Sequence, residues 1–398
     1  MRVWIIEPND PLIARDGRPF GPVPGARAVS LAFPVPSTTT GAVRTRDGLD
    51  DEGRFRPSEI PRLKQVTVLG PLLVELDDET GGIRQDGWLA PAPADAVLFG
   101  RGGDTADAAK VSVRRLTPLR LPPGALTNLP DGLAPVGMVR LERGKPSSRT
   151  PRFWRWDAFK EWLTDARDKE DVGPTQIGHG GPVKEARMHV GIDPETKTAD
   201  EETGALFQTQ GLEFVQVPQG GKLSRATRLG LAVATDAPNL KPGIGPIGGE
   251  RRVAFWRPTA QALPSIPDRV KTTIASQGSC RLVLLTPACF TEGWKPAWLL
   301  RPSDGVTPSL QAIAIAKPQV ASGWSLELPQ RAKPTRRLAP AGTVLFLKLA
   351  GDHQAIERWA ERIWMQCVSD EDQDRKDGFG LAVLGTWDGQ LREMGVRT

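Results

Sequence analysis

The chain has 398 residues, 39% hydrophobic and 25% charged, a balance that suits a soluble folded protein long enough for two ordinary domains and excludes a disordered chain. Its 52 Lys and Arg against 47 Asp and Glu leave a formal charge of +5, a mild basic bias compatible with a polyanionic partner. No apolar run approaches a membrane span and the first residues lack a secretory signal's layout, so a cytoplasmic protein with no membrane partner is expected.

In chain order, residues 3–6 and 12–14 are short apolar runs split by the turn Pro8-Asn9-Asp10-Pro11. Pro34 and Pro36 enforce extended backbone up to Ser37, where a helix is expected to open with a hydroxyl at its cap. The order is thus strand, basic turn (Arg15, Arg18) and helix start, with Arg44 one to two turns in. Unpaired N–H groups and the helix dipole make such a start favourable for phosphate. The plainer alternative pairs Arg44 with Asp47 at i+3.

Residues 47–62 are charged and loop-like. Residues 66–76 fit a strand pair or one bent strand, and Ile83, Trp88 and Leu89 return across Gly81-Gly82 as a hairpin. The Pro- and Gly-rich stretch 91–150 is irregular, and residues 101–155 carry 11 Lys and Arg against four Asp and Glu. Either a solvated surface insertion or a loop pressed onto RNA or a neighbouring subunit fits it. Within 153–166, Phe159, Trp162 and Leu163 make one helical stripe, while Trp154 and Trp156 are core candidates before they are base-stacking ones. Residues 161–205 turn acidic, 11 acids against five bases, and are expected to face away from nucleic acid.

Residues 187–193 form a strand entering a polar turn, 204–217 its return, and 229–235 a further strand. Ile247-Gly248-Gly249-Glu250-Arg251-Arg252 then repeats the order of the first motif, glycines followed by arginine on an incipient helix, as in a second, divergent copy. Residues 281–285 and 344–349 are buried-type strands. Asp352 caps a helix with Ile356, Trp359, Ala360, Ile363 and Cys367 on one face. An acidic turn, 370–377, precedes the last strand and its glycines, Gly378, Gly380 and Gly385. These make no dinucleotide fingerprint, since no helix follows. They suit either a close approach of backbone or a simple turn.

Cys280, Cys289 and Cys367 make neither an even disulfide framework nor a zinc pair, and are expected as buried free thiols. The three histidines are scattered, so no metal and no cofactor is expected. Tyrosine is absent, which leaves Trp, Phe, His or Arg for any base stacking.

The segments E-P-N-D-P-L-I-A-R-D-G-R-P-F (7–20) and F-P-V-P-S-T-T-T-G-A-V-R (33–44), in this order, closely resemble the opening of the third Cmr subunit family, part of the RAMP superfamily of type III-B CRISPR effectors. The resemblance spans most of the chain and is strongest at 4–44, 187–207, 247–257, 281–296 and 378–387. It implies an α+β fold of tandem ferredoxin-like (RRM-like, RAMP) βαββαβ domains with long loop insertions. The domains would be 1–200, with a basic insertion at about 91–150, and 201–398, with a Gly-rich loop near 378–385. The coarse order of elements in each half is compatible with that unit, whose sheet is also the platform of common single-strand RNA modules.

By the same resemblance, the chain would be a non-catalytic subunit that binds the repeat-derived 5′ tag of crRNA in antiviral defence. It would dock the large polymerase/cyclase subunit on one side and a backbone RAMP subunit of the filament on the other. Tag recognition needs phosphate anchors and contacts to splayed bases. The candidates are Arg15, Arg18, Ser37, Thr38 and Arg44, then Gly248, Gly249, Arg251 and Arg252, then Lys376, Gly378 and Gly380. The alternative, a RAMP endoribonuclease processing crRNA precursor, would need a histidine base with access to a 2′-hydroxyl. His189 lies in an apolar strand, His179 in a flexible G-H-G-G-P loop and His353 in a first helical turn, so catalysis is not expected.

Overall fold

In the strand Arg2–Pro8, successive side chains point to opposite faces, and Val3, Trp4, Ile5 and Ile6 are all buried. A strand apolar on both sides belongs at the centre of a covered sheet. It pairs antiparallel with Thr227–Thr235 on one side and Arg252–Thr259 on the other. This computed structural model describes residues 1–15, 25–101, 110–142, 144–147, 150–193, 195–199, 206–218, 225–325 and 331–394.

The first sheet runs in the order Gly178–His179, Phe153–Arg155, Ile83–Pro91, Val68–Leu76, Thr227–Thr235, Arg2–Pro8, Arg252–Thr259, Gly243–Ile247. Residues 66–76 therefore contribute one strand, not a pair, and the hairpin across Gly81-Gly82 forms as expected. The second sheet has the order Thr307–Ala314, Val344–Ala350, Ser279–Leu284, Leu381–Thr386, Gln366–Cys367. The architecture is mixed α+β with antiparallel sheets. A division at residue 200 does not hold. Strands between 227 and 259 complete the first sheet, and the second sheet begins only at Ser279.

The helices are α1 (Pro36–Asp47), α2 (Ile60–Gln65), α3 (Trp156–Thr164), α4 (Pro174–Ile177), α5 (Asp268–Gln277), α6 (His353–Ile363) and α7 (Asp372–Lys376). In α3 the stripe of Phe159, Trp162 and Leu163 is buried as its spacing requires, and Trp154 packs edge-on to Trp162 with ring centroids 5.7 Å apart. Asp352 caps α6, its carboxylate accepting from the Ala355 N–H at 2.8 Å. Cys367 lies beyond that helix, in a short strand. Part of the expected acidic turn is α7.

One continuous core joins Val3, Ile5, Leu72 and Val74 of the first sheet to Leu282, Leu345, Phe346 and Leu384 of the second. The other face of the first sheet, with Trp4, Ile6, Leu231 and Trp256, packs with Val43 of α1. Burial of each such large apolar side chain contributes ~1.5–3 kcal/mol. A buried ion pair ties the core together. Arg281 in the second sheet meets Asp95, whose other oxygen accepts from Trp162 Nε1 at 2.9 Å.

The basic stretch is not irregular. Ala96–Arg101, Lys110–Arg120, Val136–Met138, Lys169–Val172 and Arg392–Glu393 form a small sheet of their own. Arg114, buried there, pairs with Glu142 and, at 2.7 Å, with Glu170, and the Arg115 N–H donates to Asp168 at 2.9 Å. Part of the acidic tract, Asp168 and Glu170, thus meets the basic stretch directly.

Candidate nucleic-acid interface

The fold gathers the described candidates into two groups. In the first, Leu12 exchanges backbone hydrogen bonds of 2.9 Å with Leu212, and Ala14 is locked by Ser30, whose Oγ accepts from its N–H at 3.1 Å. Arg15 follows, exposed and bridged to Ser30. Gly248 and Gly249 lie against the same loop. The Gly249 N–H donates to Ile13 O at 3.0 Å, and a Cβ on Gly248, at φ +70, would stand 2.5 Å from Leu12 Cδ1. Glycine is required here because another stretch of chain occupies the side-chain space.

Arg251 ends a 3₁₀ turn beside this loop. Arg252 is mostly covered, its guanidinium meets Glu250 at 2.7 Å, and its buried Nε has no acceptor among the described residues. Arg18 and the side chain of Arg251 lie outside the described residues. Thus two motifs more than 200 residues apart, 12–15 and 248–252, form one surface.

In the second group, α1 starts at Pro36, one residue earlier than expected, because proline is pre-set for the first helical position. Val35 stands at the cap, so neither Ser37 nor Thr38 caps the helix, and both are half-buried. Arg44 is not free to hold phosphate, and it does not pair with Asp47. Its Nη1 meets Asp377 at 2.6 Å and its Nη2 donates to Val66 O at 2.7 Å. Thr40 Oγ1 adds a 2.7 Å bond to Asp377 O.

Lys376 is spent on Asp372 and Gln65, at 2.7 and 2.8 Å. Gly378 and Gly380 are buried, with φ +90 and +83. A Cβ on Gly378 would sit 2.6 Å from the carbonyl oxygens of both Val68 and Gly70. These glycines do permit a close approach, to the chain's own backbone. Arg44, Lys376 and Gly378 therefore fasten α1, α2 and the first sheet to the segment 372–378, while Gly380 packs on the backbone of Val368 and Ser369.

The histidines also have set positions. His179 is in a paired strand, not a flexible loop, and is buried with Nε2 3.4 Å from Glu75 Oε1. Burial opposes ionisation of Glu75, but His179 and Arg155 outweigh it and hold that carboxyl below its ordinary value. His189 Nε2 lies 2.7 Å from Thr209 Oγ1, and its ring stacks on Phe207 with centroids 5.1 Å apart. The cysteines are free thiols, two of them fully buried, and burial with nearby Asp374 pushes Cys289 up to about 12.

Two basic features lay outside the expected set. Arg27 is exposed, in a short strand alongside Leu206–Glu213. The strand Arg331–Leu338, R-A-K-P-T-R-R-L, pairs with Gln319–Ser325 as a separate hairpin. Its alternating cations were the signal for a charged strand face.

Residues 4–387 match the family of CRISPR-associated proteins described as Cas_Cmr3, and the chain belongs to that family. No curated protein matches it. Two cryo-EM structures of the type III-B Cmr-beta are similar to it, one bound to cognate target RNA and AMPPnP and one bound to cognate target RNA. They are 14% and 15% identical, with 86% of each chain covered and a TM-score of 0.44.

Proposed function

We propose that the chain is a non-catalytic RNA-binding subunit of a type III-B CRISPR effector. It holds the 5′ repeat-derived tag of crRNA and bridges the large polymerase/cyclase subunit to the backbone filament. Family membership supports its place in CRISPR defence. The observation that carries the binding role is the meeting of residues 12–15 with 248–252, which brings together exposed Arg15, the partly covered Arg252 and the turn ending in Arg251. Ser37 and Thr38, half-buried in the first turn of α1, belong to the same proposed path, and Arg18, which lies outside the described residues, stays a candidate from the sequence.

Two ferredoxin-like units fit this role. In the first sheet the strands Arg2–Pro8, Val68–Leu76, Thr227–Thr235 and Arg252–Thr259, taken as first to fourth, lie in the order 4-1-3-2. In the second sheet Ser279–Leu284, Thr307–Ala314, Val344–Ala350 and Leu381–Thr386 have that order again. The first unit keeps its helix after the first strand (α1), and the second keeps its helix after the third (α6). A binding role without catalysis is supported by His179 and His189, whose rings are already engaged by Glu75 and Thr209.

The test is equilibrium binding of tag-bearing single-stranded RNA to the purified chain. Charged hydrogen bonds contribute ~1.5–3 kcal/mol each, so Arg15→Ala with Arg252→Ala is expected to weaken binding at least about tenfold. Unchanged affinity in a folded double variant would move the tag elsewhere.

A further inference from the structure

The strand Arg2–Pro8 pairs with Arg252–Thr259 as far as Pro8 opposite Ala254, and one step further on the ladder changes character. In a regular antiparallel ladder, facing residues of a hydrogen-bonded pair exchange both backbone bonds. Val253 O accepts from the Asn9 N–H at 2.9 Å, but the return bond comes from a side chain. The Val253 N–H donates to Asp10 Oδ2 at 3.1 Å. Asp10 thereby carries the pairing one residue past the point where the chain turns at Asn9-Asp10-Pro11.

What Asp10 holds is the segment that leads into Val253. The turn 248–251 carries Gly248 at φ +70 and Glu250 at φ +57, and a left-handed conformation at a glutamate persists only where its surroundings impose it. On one side the Gly249 N–H bond to Ile13 O, at 3.0 Å, fixes this turn, and on the other Asp10 fixes Val253. Arg252 lies between the two fixed points. The charge of Asp10 works the other way. Glu185 and Glu213 lie nearby, and burial first, then Glu185 and Asp10, push the Glu213 carboxyl above its ordinary value. A further carboxylate in this setting repels phosphate. Its value to a phosphate-binding surface therefore lies in the hydrogen bond it accepts and not in its charge.

We propose that Asp10 is a positioning residue for RNA binding: it touches no RNA, and by accepting the Val253 N–H it fixes Arg252 beside the loop that carries Arg15. This rests on the RNA-binding role above and names the residue that presets its geometry. A group already held in place loses less freedom when its ligand arrives, and affinity rises by that saving. The rival explanation makes Asp10 a plain structural residue, whose loss lowers stability and leaves RNA affinity as it was.

The experiment measures binding of labelled, tag-bearing single-stranded RNA to the full-length chain and to its Asp10→Ala, Asp10→Asn and Arg252→Ala variants, well below their melting temperatures. Asp10→Ala removes the acceptor and is expected to weaken binding by about three- to tenfold, the scale of one hydrogen bond. Asp10→Asn keeps an oxygen in place and drops the charge, so it should bind at least as tightly as the parent. In an Arg252→Ala background, Asp10→Ala should cost little more, because the two residues act through one contact. If Asp10→Ala does not fold, Asp10→Glu serves instead. It keeps the charge but moves the carboxylate by a methylene, and the same loss is expected. Tighter binding by Asp10→Ala would reduce Asp10 to a repelling charge and overturn the proposal. A lowered melting temperature with unchanged affinity, or an equal loss with and without Arg252, would make the residue structural only and overturn it as well. A parent chain that binds no tag RNA would bring down the RNA-binding role itself.

Discussion

The junction where α1 meets residues 374–380 and the outer surface where 12–15 meets 248–252 are built from the same residue types, arginine and glycine, with opposite results. At the junction Arg44 is neutralised by Asp377, Arg336 by Asp374, and Gly378 lies against two backbone carbonyls. At the outer surface glycines again admit another segment, but Arg15 remains exposed. The two differ in exposure: the cations of the junction lie partly buried against carboxylates from distant segments, whereas Arg15 faces solvent. A motif string does not encode that, because the anion comes from more than 300 residues away, as Asp377 does for Arg44.

The largest expected effect breaks the ion pair buried in the core. Arg281→Ala leaves Asp95 buried without its counterion and is expected to cost ~3–5 kcal/mol, read by chemical denaturation. The control from the exposed hairpin, Lys333→Ala, should stay within ~0.5 kcal/mol. A small loss for both would erase the contrast.

Gly378→Ala comes next. A side chain at φ +90, pressed on Val68 O and Gly70 O, is expected to destabilise by ~1–3 kcal/mol in the same assay. If Gly378 instead serves RNA, affinity would fall without loss of stability.

Arg44→Ala follows, at ~1–3 kcal/mol, because Asp377 and Val66 O lose their donor. Arg44→Lys should recover part of the stability, by keeping the charge opposite Asp377. A melting temperature unchanged in Arg44→Ala would return this residue to the list of RNA anchors.

The smallest effect is one of pH. Glu75 has a folded pKa below its unfolded value, so its contribution to stability is present above the unfolded pKa and is lost as pH falls through the folded one. Thermal melts of Glu75→Gln should therefore lose less stability than the parent on acidification below about pH 4.5. Parallel curves would show that Glu75 is not differentially held.

Much of the fold was legible because it rests on local pattern. The apolar run at 3–6, the stripe of Phe159, Trp162 and Leu163, and the Asp352 cap all appear where the sequence puts them. The domain boundary was not legible, since a strand's partners lie far along the chain. Residues 227–259 return to pair with Arg2–Pro8 across more than 200 positions. The basic stretch misled for a related reason, because the carboxylates that answer Arg114 sit 28 and 56 residues further on, at Glu142 and Glu170. Of the candidate residues, Gly248 and Gly249 lie against Leu12 and Ile13, in the loop that leads to Arg15, a meeting the sequence did not reveal. Arg44, Lys376, Gly378 and Gly380 turn inward.

The most direct test is photocrosslinking of crRNA carrying a photoreactive base in its 5′ tag, within an effector assembled with this chain, followed by peptide mapping. The account predicts crosslinks to peptides containing residues 11–15 and 247–252. Crosslinks confined to other subunits, or to the small sheet around Lys110–Arg120 on this one, would contradict it.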